Sequence, residues 1–390
     1  MRTLVVGAGI AGMTVALELQ RAGQEVTIME RRESLRSEGY MIDFFGPGYD
    51  VAERMGLHPA FSKIHYPVGH LVFVDERGNV RADLRYPRLR REIFRDRHFK
   101  LMRGDLEAVL FQAIEGHVRM CFGTTPVTID PASTMVSVKT NRGTSEYYDL
   151  VVGADGFRSR LRDLAFLAGE SSTIHLGSHA AAYVIDHPIL GLTTDAFVSM
   201  SGPGFTAAAY PLRGGRTATF FLHRAATWLD DRSAAACRRE LEATYRGRGW
   251  ILDRLLDAFP GDGSVYFDDV GQIDTLRWSE GRVVLVGDAA GCVSLLAGHG
   301  ASLAMFGAYV LVQELTNNLS DVPRALDRYE ARVRPLVDSR QRIAARNMSW
   351  FLPRTRFGAK IRDQLSKTAV TPPIAWLLGC FLGAARAPLD

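Results

Sequence analysis

Apolar residues follow two different rhythms along this chain, and the change of rhythm predicts its elements. Thr3 to Val6 is a short apolar run, Met13 to Ala22 carries Val15, Leu17 and Leu19 in a stretch of helical character stopped by Gly23, and Glu25 to Met29 is a second run that ends at Glu30. This reads as strand, helix, strand. Residues 68–86 and 172–222 instead alternate apolar and polar positions among β-forming types, as in His70-Leu71-Val72-Phe73-Val74, Ala181-Ala182-Tyr183-Val184-Ile185 and Thr217-Ala218-Thr219-Phe220-Phe221-Leu222, which predicts an antiparallel sheet. Between these blocks the pattern predicts a helix over Tyr49 to Met55, a helix over Arg103 to Ile114, and strands over Val127 to Val138 and Thr144 to Val152. Helical patterns return at Ala234 to Tyr245 and dominate after Ala301, with an Arg-rich stretch from Arg324 to Met348.

Two of these junctions carry chemistry. Gly7-Ala8-Gly9-Ile10-Ala11-Gly12 joins the first strand to its helix, and Glu30 lies 18 residues beyond Gly12. In that context the glycines predict a dinucleotide site: Gly7 for the tight turn, Gly9 for close approach of backbone to a pyrophosphate, Gly12 for helix–strand packing, and Glu30 for ribose hydroxyls. An acidic residue there disfavours a 2′-phosphate. The other junction follows Val283-Val284-Leu285-Val286 and reads Gly287-Asp288-Ala289-Ala290-Gly291, then Gly298-His299-Gly300, then a helix from about Ala301. It is walled almost wholly by backbone.

Composition narrows the class. A chain of 390 residues, 47% hydrophobic and 23% charged, is globular and long enough for two domains or one elaborated domain. Its 47 basic and 43 acidic residues are interspersed, which argues against a nucleic-acid partner. The cysteines, Cys121, Cys237, Cys292 and Cys380, are far apart and without metal-like pairing, so free thiols in a reducing compartment and no metal site are expected. The N-terminus runs straight into the glycine motif without a cleavage site, and the apolar stretch Ile374 to Ala385 is too short to span a bilayer. These features predict a cytoplasmic protein with no membrane span.

The dinucleotide motif, Arg103-Gly104-Asp105-Leu106, Gly153-Ala154-Asp155-Gly156 after the strand Leu150 to Val152, and the Gly287-Asp288 stretch occur in the same order as in a known family. Together they resemble the single-component FAD-dependent aromatic hydroxylases of the p-hydroxybenzoate hydroxylase fold, over nearly the whole chain. The tract Gly39 to Leu57, the Gly298-His299-Gly300-Ala301-Ser302 loop and the chain length are most similar to the tetracycline-inactivating flavin monooxygenases and their relatives.

The resemblance implies a mixed α/β fold: a Rossmann-type FAD-binding domain over residues 1–69, 100–170 and 270–325, an inserted antiparallel-sheet substrate domain over 70–99 and 171–269, and a C-terminal helical segment over 326–390. It implies noncovalent FAD, with NAD(P)H as co-substrate and NADPH favoured, and an active species at the flavin C4a position that passes one oxygen atom of O₂ to an aromatic, enolic or polyketide-like molecule. Asp288 would accept from a ribityl hydroxyl, and the helix start at Gly298, Gly300, Ala301 and Ser302 would aim N–H groups at the flavin pyrimidine edge, where charge accumulates on reduction. Arg103 would lie over the ribityl-pyrophosphate, Asp43 near the flavin, Arg31 and Arg36 with the nucleotides, and Asp155 between FAD and NAD(P)H; Ala11 and Gly287 complete the cofactor wall.

His299, His223, His179 and Tyr210 are candidates to touch a substrate, with packing as the competing role, and of these Tyr210 and His299 are the candidates nearest the chemistry. The chain departs from many relatives where Gly291 replaces a His, Ser294-Leu295 replaces prolines, and Ser302 replaces an Asn. No second glycine fingerprint with strand context occurs, which fits transient NAD(P)H docking by a monomer or homodimer. A flavin oxidase or dehydrogenase, a Baeyer–Villiger-type enzyme, and a non-catalytic FAD protein that sequesters a drug or metabolite are the alternatives.

Overall fold

A computed structural model describes residues 1–35, 39–131, 134–167, 169–261, 265–355 and 358. Arg36, Cys380 and the stretch Ile374 to Ala385 lie outside the described residues. The first strand, Arg2–Val6, sits inside a six-stranded sheet, between parallel partners Glu25–Glu30 and Leu150–Gly153. Arg119–Phe122 extends the sheet beyond the former and Val283–Leu285 beyond the latter, both parallel, and antiparallel Ser279–Glu280 closes one edge. The helix Ile10–Arg21 makes the crossover and packs on the helices Gly300–Asn317 and Arg103–Ile114, so the sheet and these helices enclose the larger core.

The glycine spacing has a direct steric reading. A Cβ on Gly12 would stand 1.9 Å from the Gly7 carbonyl oxygen, and Gly7 itself has φ +106° with the Ala154 carbonyl 2.5 Å from any added Cβ. Only glycine lets strand and helix approach this closely.

The alternating segments form an eight-stranded sheet in the order Tyr266–Thr275, Ser171–Ala182, Thr217–Arg224, Phe205–Pro211, Ala196–Gly202, His70–Val74, Val80–Arg85, with Val184–Ile185 paired to Thr217–Arg224. It is not wholly antiparallel, as expected, because His70–Val74 arrives from a distant part of the chain and joins Ala196–Gly202 in parallel. The strand Tyr266–Thr275 also runs across the expected boundary at residue 270, hydrogen-bonded along its length to Ser171–Ala182. Helices Ala234–Tyr245 and Leu252–Asp257 cover one face of this sheet with a second core.

Three further differences follow from turns and short runs that periodicity does not resolve. The expected strand Val127 to Val138 is a hairpin, Pro126–Pro131 with Val136–Thr140, to which Ser145–Tyr148 adds a third strand. Met41–Phe45 pairs antiparallel with His98–Met102, two strands that the apolar and polar pattern does not mark. The helix expected from Arg324 spans Val322–Phe351 and contains Pro335. No helix among the described residues is long and apolar enough to cross a membrane.

Candidate functional site

A cavity of about 830 Å³ opens where the parallel strands end, lined there by Val6, Glu30 and Ala154, and extends to one face of the large sheet. Carboxyl ends of parallel strands are where α/β sheets receive ligands, and the volume is at the upper end of the range for small-molecule sites.

The end against the six-stranded sheet is walled by backbone. Gly9, Gly298 and Gly300 all line it, and a Cβ on any of them would meet no heavy atom within 4 Å, so each leaves open space that a ligand can fill. Glu30 and Arg31 line the same end. The Glu30 carboxylate is set there by the N–H groups of Ala8, at 2.9 Å, and Arg32, at 3.0 Å. The helix Gly300–Asn317 makes its first internal bond from Leu303 N–H to the His299 carbonyl, so the N–H groups of Gly300 and Ala301 precede the ladder at the cavity wall.

Arg103 and Asp288 face the cavity from opposite elements. Burial opposes the charge on Arg103, but Glu107, whose Oε1 accepts from Nε at 3.1 Å, with Tyr40 and Asp288, holds its pKa above the ordinary value. Burial pushes the Asp288 carboxyl up, and Arg103 counters it. Asp155 also lines the cavity, yet its oxygens accept from Ser159 Oγ at 2.5 Å and Leu161 N–H at 3.0 Å, bracing the start of the helix Arg160–Ala165. Ala11, Gly12 and Gly287 stand behind the wall: a Cβ on Gly287 would come within 2.9 Å of the Ala11 methyl.

Ser302 is turned away from the cavity, because its buried Oγ accepts from Gly48 N–H at 2.8 Å. His299 is likewise behind the wall, 2% exposed, with its ring 4.6 Å from that of Phe45.

The other end is walled by side chains, and the two-residue period of the strands selects them. Phe197, Ser199 and Ser201 line the cavity while Ala196, Val198 and Met200 enter the core beneath the covering helices. Tyr210 lines it too, stacked on Phe197 at 5.1 Å, with its hydroxyl accepting from Met41 N–H at 2.8 Å; burial pushes its pKa up.

Asp43 lines the cavity at this end, and its partners were not foreseen. Its Oδ1 accepts from Lys100 Nζ at 2.6 Å and from His98 Nε2 at 2.9 Å. Burial alone would raise the Asp43 carboxyl; Lys100 and His98 outweigh it and hold the group well below its usual range. Sequence reasoning missed Lys100, His98, Tyr86 and Phe197. The available signal was a lysine set among His98, Phe99, Leu101 and Met102 in a chain whose cations are nearly all arginine.

His179 and His223 do not reach the cavity. The register pairs them across adjacent strands on the face covered by Ala234–Tyr245, where Glu240 Oε1 lies 2.5 Å from His179 Nδ1 and 2.6 Å from His223 Nε2. These are hydrogen-bond lengths; ligands around one ion at ~2.0–2.2 Å would stand roughly 3.3 Å apart.

Comparison with known proteins points the same way as the geometry. Residues 130–343, more than half of the chain, match the FAD binding domain family, and residues 2–55 match the FAD dependent oxidoreductases. A flavin-dependent monooxygenase of Legionella longbeachae is 31% identical over 375 residues, 94% of this chain and 93% of that protein. Among solved structures, tetracycline destructase Tet(51) superposes with a TM-score of 0.83 at 28% identity over 96% of this chain and 97% of the other. HpxO of Klebsiella pneumoniae, solved with FAD and uric acid, shares the fold, with a TM-score of 0.80 at 22% identity over 100% and 98% of the two chains.

Proposed function

We propose a reaction on one premise: this chain belongs to the FAD binding domain family and is a flavin-dependent monooxygenase. The reaction is transfer of one oxygen atom from O₂ to an aromatic, enolic or polyketide-like small molecule, with NADPH as the electron donor. The observation that carries it is a cavity joining a backbone-walled end marked by Glu30, Arg103 and Asp288 to an apolar end on a separate sheet.

The residues present fit FAD. Gly9 leaves room for a pyrophosphate at the start of Ile10–Arg21, Glu30 offers carboxylate oxygens to the adenosine ribose, and Arg103 supplies a planar cation for phosphate. Asp288 would accept from a ribityl hydroxyl, and the N–H groups of Gly300 and Ala301 would supply fixed donors to the flavin. FAD, when bound, supplies the redox and oxygen-activating chemistry. The rest is positioning: the strand Met41–Phe45 and the faces of Phe197 and Tyr210 confine a planar substrate beside it. On this reading residues 1–69, 100–170 and 270–325 hold the cofactor, the large sheet holds the substrate, and Arg36 docks NADPH.

A purified protein that is yellow, releases FAD into the supernatant on acid precipitation, and consumes NADPH faster with a substrate that gains one oxygen by mass spectrometry is the expected outcome. Tetracyclines and polyphenols are the compounds to screen first. A colourless protein that cannot be reconstituted removes the cofactor assignment, and NADPH consumption that yields only hydrogen peroxide makes the protein an oxidase.

A further inference from the structure

We propose that Gln272 and Gln341 are positioning residues for the cofactor: from outside the cavity they hold the turn at Ser294 in a strained conformation that shapes the FAD-binding wall. This rests on the FAD assignment above and gives the helix Val322–Phe351 a part in it. Residues 292–298 line the cavity, between Asp288 and the helix start at Gly300. Within them Ser294, 4% exposed, has φ +81° and ψ 149°. That region of backbone space belongs almost wholly to glycine, and a residue with a Cβ stays there only where its surroundings hold it. Proline, with φ fixed near about −65°, could not take this path at all.

The two glutamines supply the hold. Gln341 Nε2 donates to the carbonyls of Ile273, at 2.7 Å, and Cys292, at 3.0 Å, while Gln272 Nε2 donates to the Gln341 carbonyl at 2.8 Å and to that of Val293 at 3.3 Å. A side-chain amide nitrogen carries two hydrogens, so both are fully used. The carbonyls of the two residues before Ser294 are thereby tied to the strand Tyr266–Thr275 and the helix Val322–Phe351.

Beyond Ser294 the chain is closed as well. Its Oγ accepts from Leu296 N–H at 3.3 Å, its carbonyl from Ala297 N–H at 3.1 Å, and the Leu295 carbonyl from Gly298 N–H at 3.1 Å. The unfavourable torsion therefore sits at the joint between two fixed pieces. Releasing the first piece lets the torsion relax, and the second, which leads into the N–H groups of Gly300 and Ala301, turns with it. Neither glutamine is among the residues that line the cavity, so their effect on FAD passes through this backbone.

The full chain tests this by FAD titration of the apoprotein, melting temperature, and the visible spectrum of the bound flavin. Gln272→Leu and Gln341→Leu should each weaken FAD binding, roughly tenfold for the stronger effect, and shift the flavin spectrum. Adding Ser294→Gly to either should bring the affinity back to within about threefold of wild type and restore the spectrum, because glycine takes the same path without strain. Ser294→Gly alone should keep or raise the melting temperature of the apoprotein, where glycine in an ordinary conformation would lower it. Both Leu variants binding FAD within about threefold of wild type, an unshifted spectrum, no rescue by Ser294→Gly, or a melting temperature lowered by more than about 1 °C in Ser294→Gly would each overturn the proposal. The last measurement decides even where the Leu variants do not fold. Wild type that binds no FAD fails the monooxygenase reading, whereas FAD-loaded wild type with indifferent variants fails this proposal alone.

Discussion

The two ends of the cavity are built by different means. Against the six-stranded sheet the wall is glycine and helix start, with Gly9, Gly298 and Gly300 leaving space, Gly7 in the wall itself and Gly12 packed against it from behind. Against the large sheet the wall is made of side chains, Phe197, Tyr210, Lys100 and Asp43, brought together by strand register from four separate stretches of chain. A backbone wall suits a ligand that is always the same, since its shape is set by the main chain. A side-chain wall can change its chemistry one residue at a time while the fold stays intact.

The largest effect should come from testing the backbone wall against itself. In Gly12→Ala the new Cβ would stand 1.9 Å from the Gly7 carbonyl, a main-chain atom that can yield only by moving strand or helix. A loss of about 3 kcal/mol in unfolding free energy is expected, with FAD content falling as a result. Gly9→Ala meets no protein atom and should unfold like the parent while binding FAD more weakly. If both variants match the parent in stability and flavin content, the glycines are not what shapes this end.

The same contrast explains what was legible in the sequence. The cofactor end could be read because its glycines and Asp288 lie in contiguous motifs next to strands and helices of recognisable period, and the crossover helix Ile10–Arg21 begins within three residues of its expected start. The substrate end could not. Alternation along Phe205–Pro211 and Thr217–Arg224 shows that each strand has two faces but not which one meets the ligand. That is settled by register: Phe205 opposite His223 sends His223 to the covered core, while Tyr210 opposite Ala218 faces the cavity. His98–Met102 gives even less to read, because all five of its residues are buried and no alternation survives to mark it as a strand. Asp43 was placed by family resemblance, and its partner Lys100 became visible only once the two strands were paired.

A smaller effect should come from the covered face of the large sheet, and it can be resolved by pH. Burial alone would raise the Glu240 carboxyl, but hydrogen bonds from His223 and His179 bring it down from 4.5 to about 2. A carboxylate whose folded pKa is depressed contributes stability that is present above its unfolded pKa and lost as pH falls through the folded one. Glu240→Gln should therefore cost about 1–2 kcal/mol above pH 4.5, after allowance for partial solvent screening, and the gap to wild type should close as pH approaches 2. Flavin content should not change, because neither histidine lines the cavity. A stability gap independent of pH across that window would show that the carboxylate charge is not what holds the histidines.

The smallest effect is expected at Tyr210, within the side-chain end of the cavity. Its hydroxyl accepts the Met41 N–H at 2.8 Å, joining a strand of the large sheet to the strand that carries Asp43. Burial raises its pKa, so near neutral pH the phenol stays protonated, and its oxygen is already engaged as an acceptor. Both facts favour a positioning role over proton transfer. Tyr210→Phe keeps the ring stacked on Phe197 and leaves the Met41 N–H without its acceptor, at a cost of about 1 kcal/mol in chemical or thermal unfolding. Turnover with any substrate found should fall by less than about tenfold, the equivalent of 1.4 kcal/mol, with no change in the shape of its pH profile. Loss of one limb of that profile with stability unaltered would instead make Tyr210 a proton-transfer group and move its hydroxyl from the joint between the two strands into the chemistry itself.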